Sequence, residues 1–463
     1  RGHQTEFGSR GRMRTLIRNG RVALGDRLEA SDLLLEGGLI AAVGQNLGAA
    51  DRVVDASGCY VLPGFMDFHT HVGDRIGDFE LADDYDSGTR IGILNGITTL
   101  CTFVTQGSDG SPETLRQALQ RARTRANGRC HADVAWHLTP TTFEPEDWRD
   151  LESLIKAGYR TLKFYTTYKS AGLFTDQARL EALFRRLGPA GARFLVHCED
   201  DELLASVDTS SLDLSRASSH ARLRPEAAES RTVDALITLA ARCGVPLHVV
   251  HVSTVSAAKR IKEAHDHQDL TSETCPQYLW LDESWLDRGD GHRWICSPSL
   301  RGGRDQFREL AREGVFDLIA TDHCAFCCAD KDDWDKKDIR TVANGLGGLG
   351  ALAHLAWKLW EDDPDRAAQE LALRLAMNPA ARLGMSHRKG SLRVGLEADV
   401  VILDPKSPAQ PIRSSFADTF EPYPGFTSTL AFRQVFLRGE SIVEGGELMH
   451  ADRPLGRALQ GPA

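Results

Sequence analysis

TLKFYTTYKSAGLFTDQARLEALFRRLGPAGARFLVHCE, residues 161–199, reads strand, helix, strand. Its outer runs, TLKFYTT (161–167) and RFLVHCE (193–199), are short and nearly continuous in apolar residues. Strands buried on both faces look like this. Between them DQARLEALFRRLG (176–188) repeats apolar residues at helical intervals and stops at Gly188, a common residue just past a helix end. Two buried strands joined through a helix make a β–α–β unit, which runs its strands in parallel.

The same alternation extends both ways. GFMDFHTH (64–71), TTLCTFV (98–104) and VAWHLT (134–139) precede the unit, and LHVVHVS (247–253), LTSETCP (270–276) and LIATDHC (318–324) follow it. Amphipathic stretches lie between them, at 111–126, 145–158, 225–244, 255–266 and 302–314, with two more at 348–360 and 365–384. Eight strands in this alternation predict an α/β fold, a (β/α)8 TIM barrel, although an open doubly wound sheet has the same strand count. Near both ends the period changes to two. TLIRNGRVAL (15–24), DLLLEGGLIAAVG (32–44), DRVVDASGCYVL (51–62), SLRVGLEADVVILDP (391–405) and QVFLRGESIVEGGEL (434–448) alternate around turn-forming Asn-Gly, Gly-Gly and Ser-Gly pairs. They predict a small β-sandwich domain assembled from both termini. The expected division is a foreign leader at 1–12 before Met13, sandwich at 13–62 and 388–450, barrel at 63–387, and a tail at 451–463.

The chain has 463 residues, 41% hydrophobic and 26% charged, enough for a large core. Its net charge of −10 is spread along the sequence, which argues against nucleic-acid or anionic-membrane partners. Ten cysteines without regular spacing, several inside strand-like runs, read as reduced buried thiols of a cytoplasmic protein. No signal peptide and no apolar run of about 18 residues is visible.

Barrel active sites lie at the C-terminal ends of the strands, where this chain places reactive side chains. His69 and His71 stand at i and i+2 of the first strand, so both imidazoles face one way. Lys163 shares a strand face with Thr161 and Tyr165, opposite Leu162 and Phe164. It either reaches water at the rim or, modified by carbon dioxide, becomes an anionic carbamate able to bridge two metals. His197 and His251 end the fifth and sixth strands, and Asp322 ends the eighth. Taken singly, these are ordinary hydrogen-bonded histidines and a solvated carboxylate. Together they suit a pair of divalent ions, with zinc the natural choice and iron, manganese or cobalt also compatible. Two such ions bring four positive charges; an aspartate, a carbamate and one hydroxide leave one, whereas an ammonium would only repel them. His248, three positions before His251, is expected to face away and be structural; His323 has the wrong parity and is expected to stand behind the ligands. Cys324, Cys327 and Cys328 lack a nearby Cys/His pair to complete a zinc set, so they read as loop thiols.

These motifs, with LKFYTTYK, LVHCED, ETCPQYL, CSPSLR, NPAARLG and KGSLRVGLEADVVILDP, resemble the cyclic amidohydrolases of the amidohydrolase superfamily from about Met13 to Glu447. The resemblance is greatest to the dihydropyrimidinase/D-hydantoinase branch. It implies that His69, His71 and Asp322 bind one metal, that His197 and His251 bind the other, and that Lys163, as N6-carboxylysine, bridges them. It further implies that a metal-bound hydroxide opens a dihydropyrimidine, hydantoin or cyclic imide to an N-carbamoyl amino acid or related acid. Asp322 would carry the proton, Tyr168 would steady the oxyanion, and the backbone at Ser297 and Asn344 would hold the ring. A homotetramer is expected on the same ground.

Sister branches match less well. Dihydroorotases have an Arg where this chain has Gly73 and read CPHH where it reads Cys275-Pro276-Gln277-Tyr278. Allantoinases read DHSPC where it has Asp322-His323-Cys324-Ala325-Phe326. The stretch 72–89, Ser299, Ala325 and ANGLGGLG (343–350) depart from the branch's usual pattern, which opens the choice of substrate side group. Allantoin or another cyclic or linear amide is the alternative substrate. A noncatalytic scaffold, like the collapsin-response-mediator-like relatives that lose ligands, is the remaining one.

Overall fold

The computed structural model describes residues 13–460 except 78, 109 and 417, so the expected leader and the last three residues of the expected tail lie outside the described residues. The eight apolar runs form one sheet in sequence order: Phe65–Thr70, Ile97–Thr105, Asp133–Thr139, Thr161–Tyr165, Arg193–His197, Leu247–Val249, Leu270–Thr274 and Leu318–Ile319. Every pairing along it is parallel. A parallel bridge between Thr70 and His323, with the His71 amide donating to the His323 carbonyl at 2.6 Å, joins the last strand to the first. The sheet is therefore a barrel, and the open-sheet alternative falls.

Parity along the strands sorts the side chains. Leu162, Phe164, Phe194, Val196 and Val249 pack outward among the helices, while Phe103, Leu195, Val250 and Ala320 fill the barrel. Helices at Leu115–Ala126, Pro145–Lys156, Gln177–Leu187, Glu226–Cys243, Val255–Ala264 and Arg304–Arg312 match the predicted stretches. One more, Tyr85–Leu94, follows the first strand and begins inside the stretch that departs from the family pattern. Asp84 caps it, accepting from the amides of Asp86 and Ser87 at 2.8 and 3.0 Å. Its packing face carries Gly88, where an added Cβ would lie 2.8 Å from Val72, so a weakly apolar sequence still makes a closely packed helix.

The terminal strands form a nine-stranded mixed sheet. Its seam is the antiparallel pairing of Tyr60–Pro63 with Val400–Asp404, from opposite ends of the chain. The Ile40 amide donates to the Leu396 carbonyl and the Ala398 amide to the Gly38 carbonyl, each at 2.9 Å, so the far edge folds back. Leu33, Leu35 and Ile40 thereby meet Val400, Ile402 and Phe436 in one apolar cluster, as in a sandwich. The described end of the expected tail is tied down. Val134 of the third barrel strand donates to Arg457 O and accepts from the Leu459 amide, each at 2.9 Å, and Gln460 brackets Trp136.

Below the barrel, Asp133, Glu397 and Asp399 converge with the spacing of a cation site. A cation of the chain itself occupies it. The Lys389 ammonium, 2% exposed, lies 2.9 Å from Asp133 and from Glu397 and pairs with Asp399. Arg438, in a turn of the terminal sheet, grips both Asp133 oxygens at 2.5 and 2.6 Å. The network rivets the barrel floor to the satellite sheet.

Candidate metal centre

His69, His71, His197, His251 and Asp322 all arrive at the upper end of the barrel. His69 Nε2 and His71 Nε2 lie 3.0 and 3.1 Å from Asp322 Oδ1. His197 Nδ1 lies 3.0 Å from His251 Nε2. Lys163 stands between the two groups. The Phe103 ring touches His69 and His71 and lies 5.0 Å from Lys163 Nζ. The Tyr165 ring lies 4.8 Å from that Nζ and packs on His197. Lys163 is buried, and no carboxylate pairs with it among the described residues. Burial presses its ammonium down to about 8, against the pull of Asp322 and Glu273.

Two of the converging positions have left-handed backbones, His251 at φ 38° and Asp322 at φ 49°. Such angles are costly for residues other than glycine and concentrate at functional sites. They also correct a parity argument. His248 does not face away: it lies inside the barrel, and its Nε2 meets Glu273 Oε2 at 3.1 Å in the network that holds His69. The alternation that separates residues 248 and 251 fails because the chain turns at His251.

A shell of carboxylates orients the imidazoles. Glu273, fully buried, pairs with His69 Nδ1, which turns Nε2 toward Asp322. Burial raises the Glu273 carboxyl, but His69 and His248 outweigh it and hold it below the usual range. Glu199 pairs with His197 Nε2 at 2.7 Å and with Arg224. The Arg224 guanidinium also reaches the Tyr168 hydroxyl at 3.3 Å. Glu273, Glu199 and Arg224 were not singled out from the sequence; the available signal was an acidic residue inside, or directly after, an otherwise apolar strand. His323 is buried, with Nε2 3.0 Å from Asp83 and Nδ1 accepting from the Gly348 amide, and its carbonyl accepts from the His71 amide.

The remaining positions line the mouth. Tyr168, itself at φ 68°, lays its ring on His197, and burial pushes its phenol up to about 12. Asn344 Nδ2 donates to Ser297 Oγ at 2.9 Å. A cavity of about 340 Å³ opens between Tyr168, Arg224 and Asn344. The three loop cysteines do not converge: Cys324 is buried, Cys327 caps a short helix and Cys328 is exposed.

The donors fit a metal. His251 Nδ1 is buried without a hydrogen-bond partner, His69 Nε2 has Asp322 Oδ1 3.0 Å away but poorly aligned for a hydrogen bond, and ligand atoms of His69, His251 and Asp322 lie within 4.8 Å of one another. Buried polar atoms are rarely left unsatisfied, and imidazole with carboxylate is a common divalent-metal set.

Comparison with known proteins agrees with this architecture. The sequence profile described as "Amidohydrolase family" matches residues 60–440. A D-phenylhydantoinase of Escherichia coli (strain SE11) is 33% identical over 444 residues, 93% of this chain and 94% of the relative. Among solved structures, dihydropyrimidinase from Brevibacillus agri NCHU1002 superposes with a TM-score of 0.90 at 28% identity, covering 97% and 99% of the two chains. D-hydantoinase from Bacillus sp. AR9 gives the same TM-score, identity and coverage.

Proposed function

The chain belongs to the amidohydrolase family, and from that premise we propose that it hydrolytically opens the ring of a hydantoin, dihydropyrimidine or cyclic imide. The observation that carries this reading is the convergence of two histidine groups and Asp322 around a buried lysine that no carboxylate pairs among the described residues, with His251 Nδ1 left unsatisfied. Relatives named for hydantoin and dihydropyrimidine hydrolysis, aligned along nearly the whole chain, support the substrate class.

His69, His71 and Asp322 would hold one divalent ion and His197 and His251 a second, with Lys163, carbamylated by carbon dioxide, between them. Burial favours the neutral amine, the form that adds carbon dioxide. When bound, a metal pair polarises the amide carbonyl and makes water acidic enough to attack at neutral pH; zinc suits these donors. Asp322 takes up the proton that water loses and returns it to the departing ring nitrogen. Glu273 and Glu199 fix the imidazole orientations. Tyr168 stays protonated at neutral pH and donates to the carbonyl oxygen as negative charge grows there. Backbone groups at Ser297 and Asn344 hold the ring. Residues 13–62 and 388–450 form the satellite domain, 63–387 the catalytic one. Among the described residues no helix is long and apolar enough to cross a membrane; a cytoplasmic homotetramer completes the proposal.

The test is a turnover panel of dihydrouracil, hydantoin, 5-substituted hydantoins, phthalimide, allantoin and dihydroorotate, run on protein of measured metal content. Ring opening of a hydantoin, dihydropyrimidine or imide is expected. Protein carrying two metals per chain that opens none of these rings sinks the proposal. Tyr168→Phe should lower kcat by about 10²–10³-fold, the scale of losing one oxyanion donor, without changing the metals bound per chain by elemental analysis.

A further inference from the structure

Lys331 is a buried lysine, 1% exposed, outside the centre described above. It lies on the short helix Cys328–Asp332, in the loop that leaves Asp322. No carboxylate neutralises it among the described residues: Asp330 bonds Cys327, and Asp332 pairs with His292 and Arg293. Its ammonium instead donates to two backbone carbonyls, Ile295 O at 3.0 Å and Ala343 O at 2.7 Å, with the Phe326 ring 5.5 Å away. Burying a charge without a counter-ion is costly, and a methionine fills a similar volume without that cost. The retained amine calls for a reason in what it holds.

Ile295 stands two residues before Ser297, and Ala343 immediately precedes Asn344. The same two segments are joined by the Gly345 amide donating to Ile295 O at 3.1 Å and by Asn344 Nδ2 donating to Ser297 Oγ at 2.9 Å. Among the described residues, Lys331 is the only group that bonds to both segments from outside them, and it does so from the loop that carries Asp322.

We propose that Lys331 is a positioning residue: its ammonium clamps the Ser297 and Asn344 segments at the separation that receives the cyclic amide. The inference rests on the reading of those two residues as ring holders. Removing the clamp loosens ring binding while the metal ligands, none of which lies in either clamped segment, keep their places. The effect therefore falls on KM rather than on kcat.

Lys331→Met should raise KM for the best ring of the panel about tenfold, with kcat within about threefold of wild type and metal content unchanged. Hydrogen exchange at the amides of 295–297 and 343–346 should speed up about tenfold, because a local opening has been made easier. A merely structural role would instead lower kcat, metal content and melting temperature together. Ser297→Ala/Asn344→Ala, which cuts the side-chain tie, serves as the control. If it raises KM and Lys331→Met does not, the clamp is overturned and the ring-holding reading stands. If neither moves KM, both fall. Unchanged exchange in those segments overturns the clamp whatever the substrate turns out to be. Should Lys331→Met fail to fold, Lys331→Gln, which keeps an N–H donor without charge, is expected to raise KM about threefold; a wild-type KM together with wild-type exchange overturns the clamp.

Discussion

Lys163→Ala is expected to abolish stable metal loading and to cost at least about 10³-fold in kcat/KM, since a two-metal clamp stabilises charge on both sides of the displacement. The fold should survive. The native ammonium is buried and, among the described residues, pairs with no carboxylate, so its removal also removes a desolvation cost. Metal-stripped wild type and metal-stripped variant should therefore melt within a few degrees of each other, while only the wild type gains stability when zinc, manganese or cobalt is added. Carbon-13 carbon dioxide offers a direct readout: a carbamate signal in wild type and none in Lys163→Ala. Wild-type metal content and turnover in the variant would overturn the bridging role.

Lys389→Met acts at the opposite end of the barrel and should do the reverse, lowering stability while sparing chemistry. The ammonium sits among Asp133, Glu397 and Asp399. Arg438 still reaches Asp133, and Arg388 and Arg457 still reach Glu397. Among the described residues, Asp399 keeps only the Arg438 amide, at 2.8 Å. Breaking a buried ion network by deleting one partner costs about 3–5 kcal/mol, a large share of the roughly 5–15 kcal/mol that holds a typical protein folded. Urea unfolding should show a lower midpoint, and the protein that remains folded should have wild-type kcat. A midpoint equal to wild type would show that the three carboxylates do not depend on this lysine.

The barrel was legible because strands buried on both faces must be apolar along their whole length, and Leu162, Phe164, Phe194 and Val196 pack outward as their parity required. The convergence of His69, His71, His197, His251 and Asp322 was legible because each ends such a run. Three things were not. The helix Tyr85–Leu94 packs through glycine, threonine and isoleucine, a face with little periodic signal. The placement of His248 was misread because the left-handed turn at His251 cannot be seen in residue types that usually avoid it. Glu273, Glu199 and Arg224 work through contacts across neighbouring strands or a loop 25 residues away, and no local pattern reports those.

Residues 457–460 fill an edge of the third barrel strand that lies 324 positions earlier in the chain. During synthesis at about 5–20 residues per second, that edge stays unpaired on the order of tens of seconds after it leaves the ribosome. Until residues 457–460 emerge, the nascent chain carries that β-edge and the Trp136 backbone unpaired, open to chaperones and to other chains.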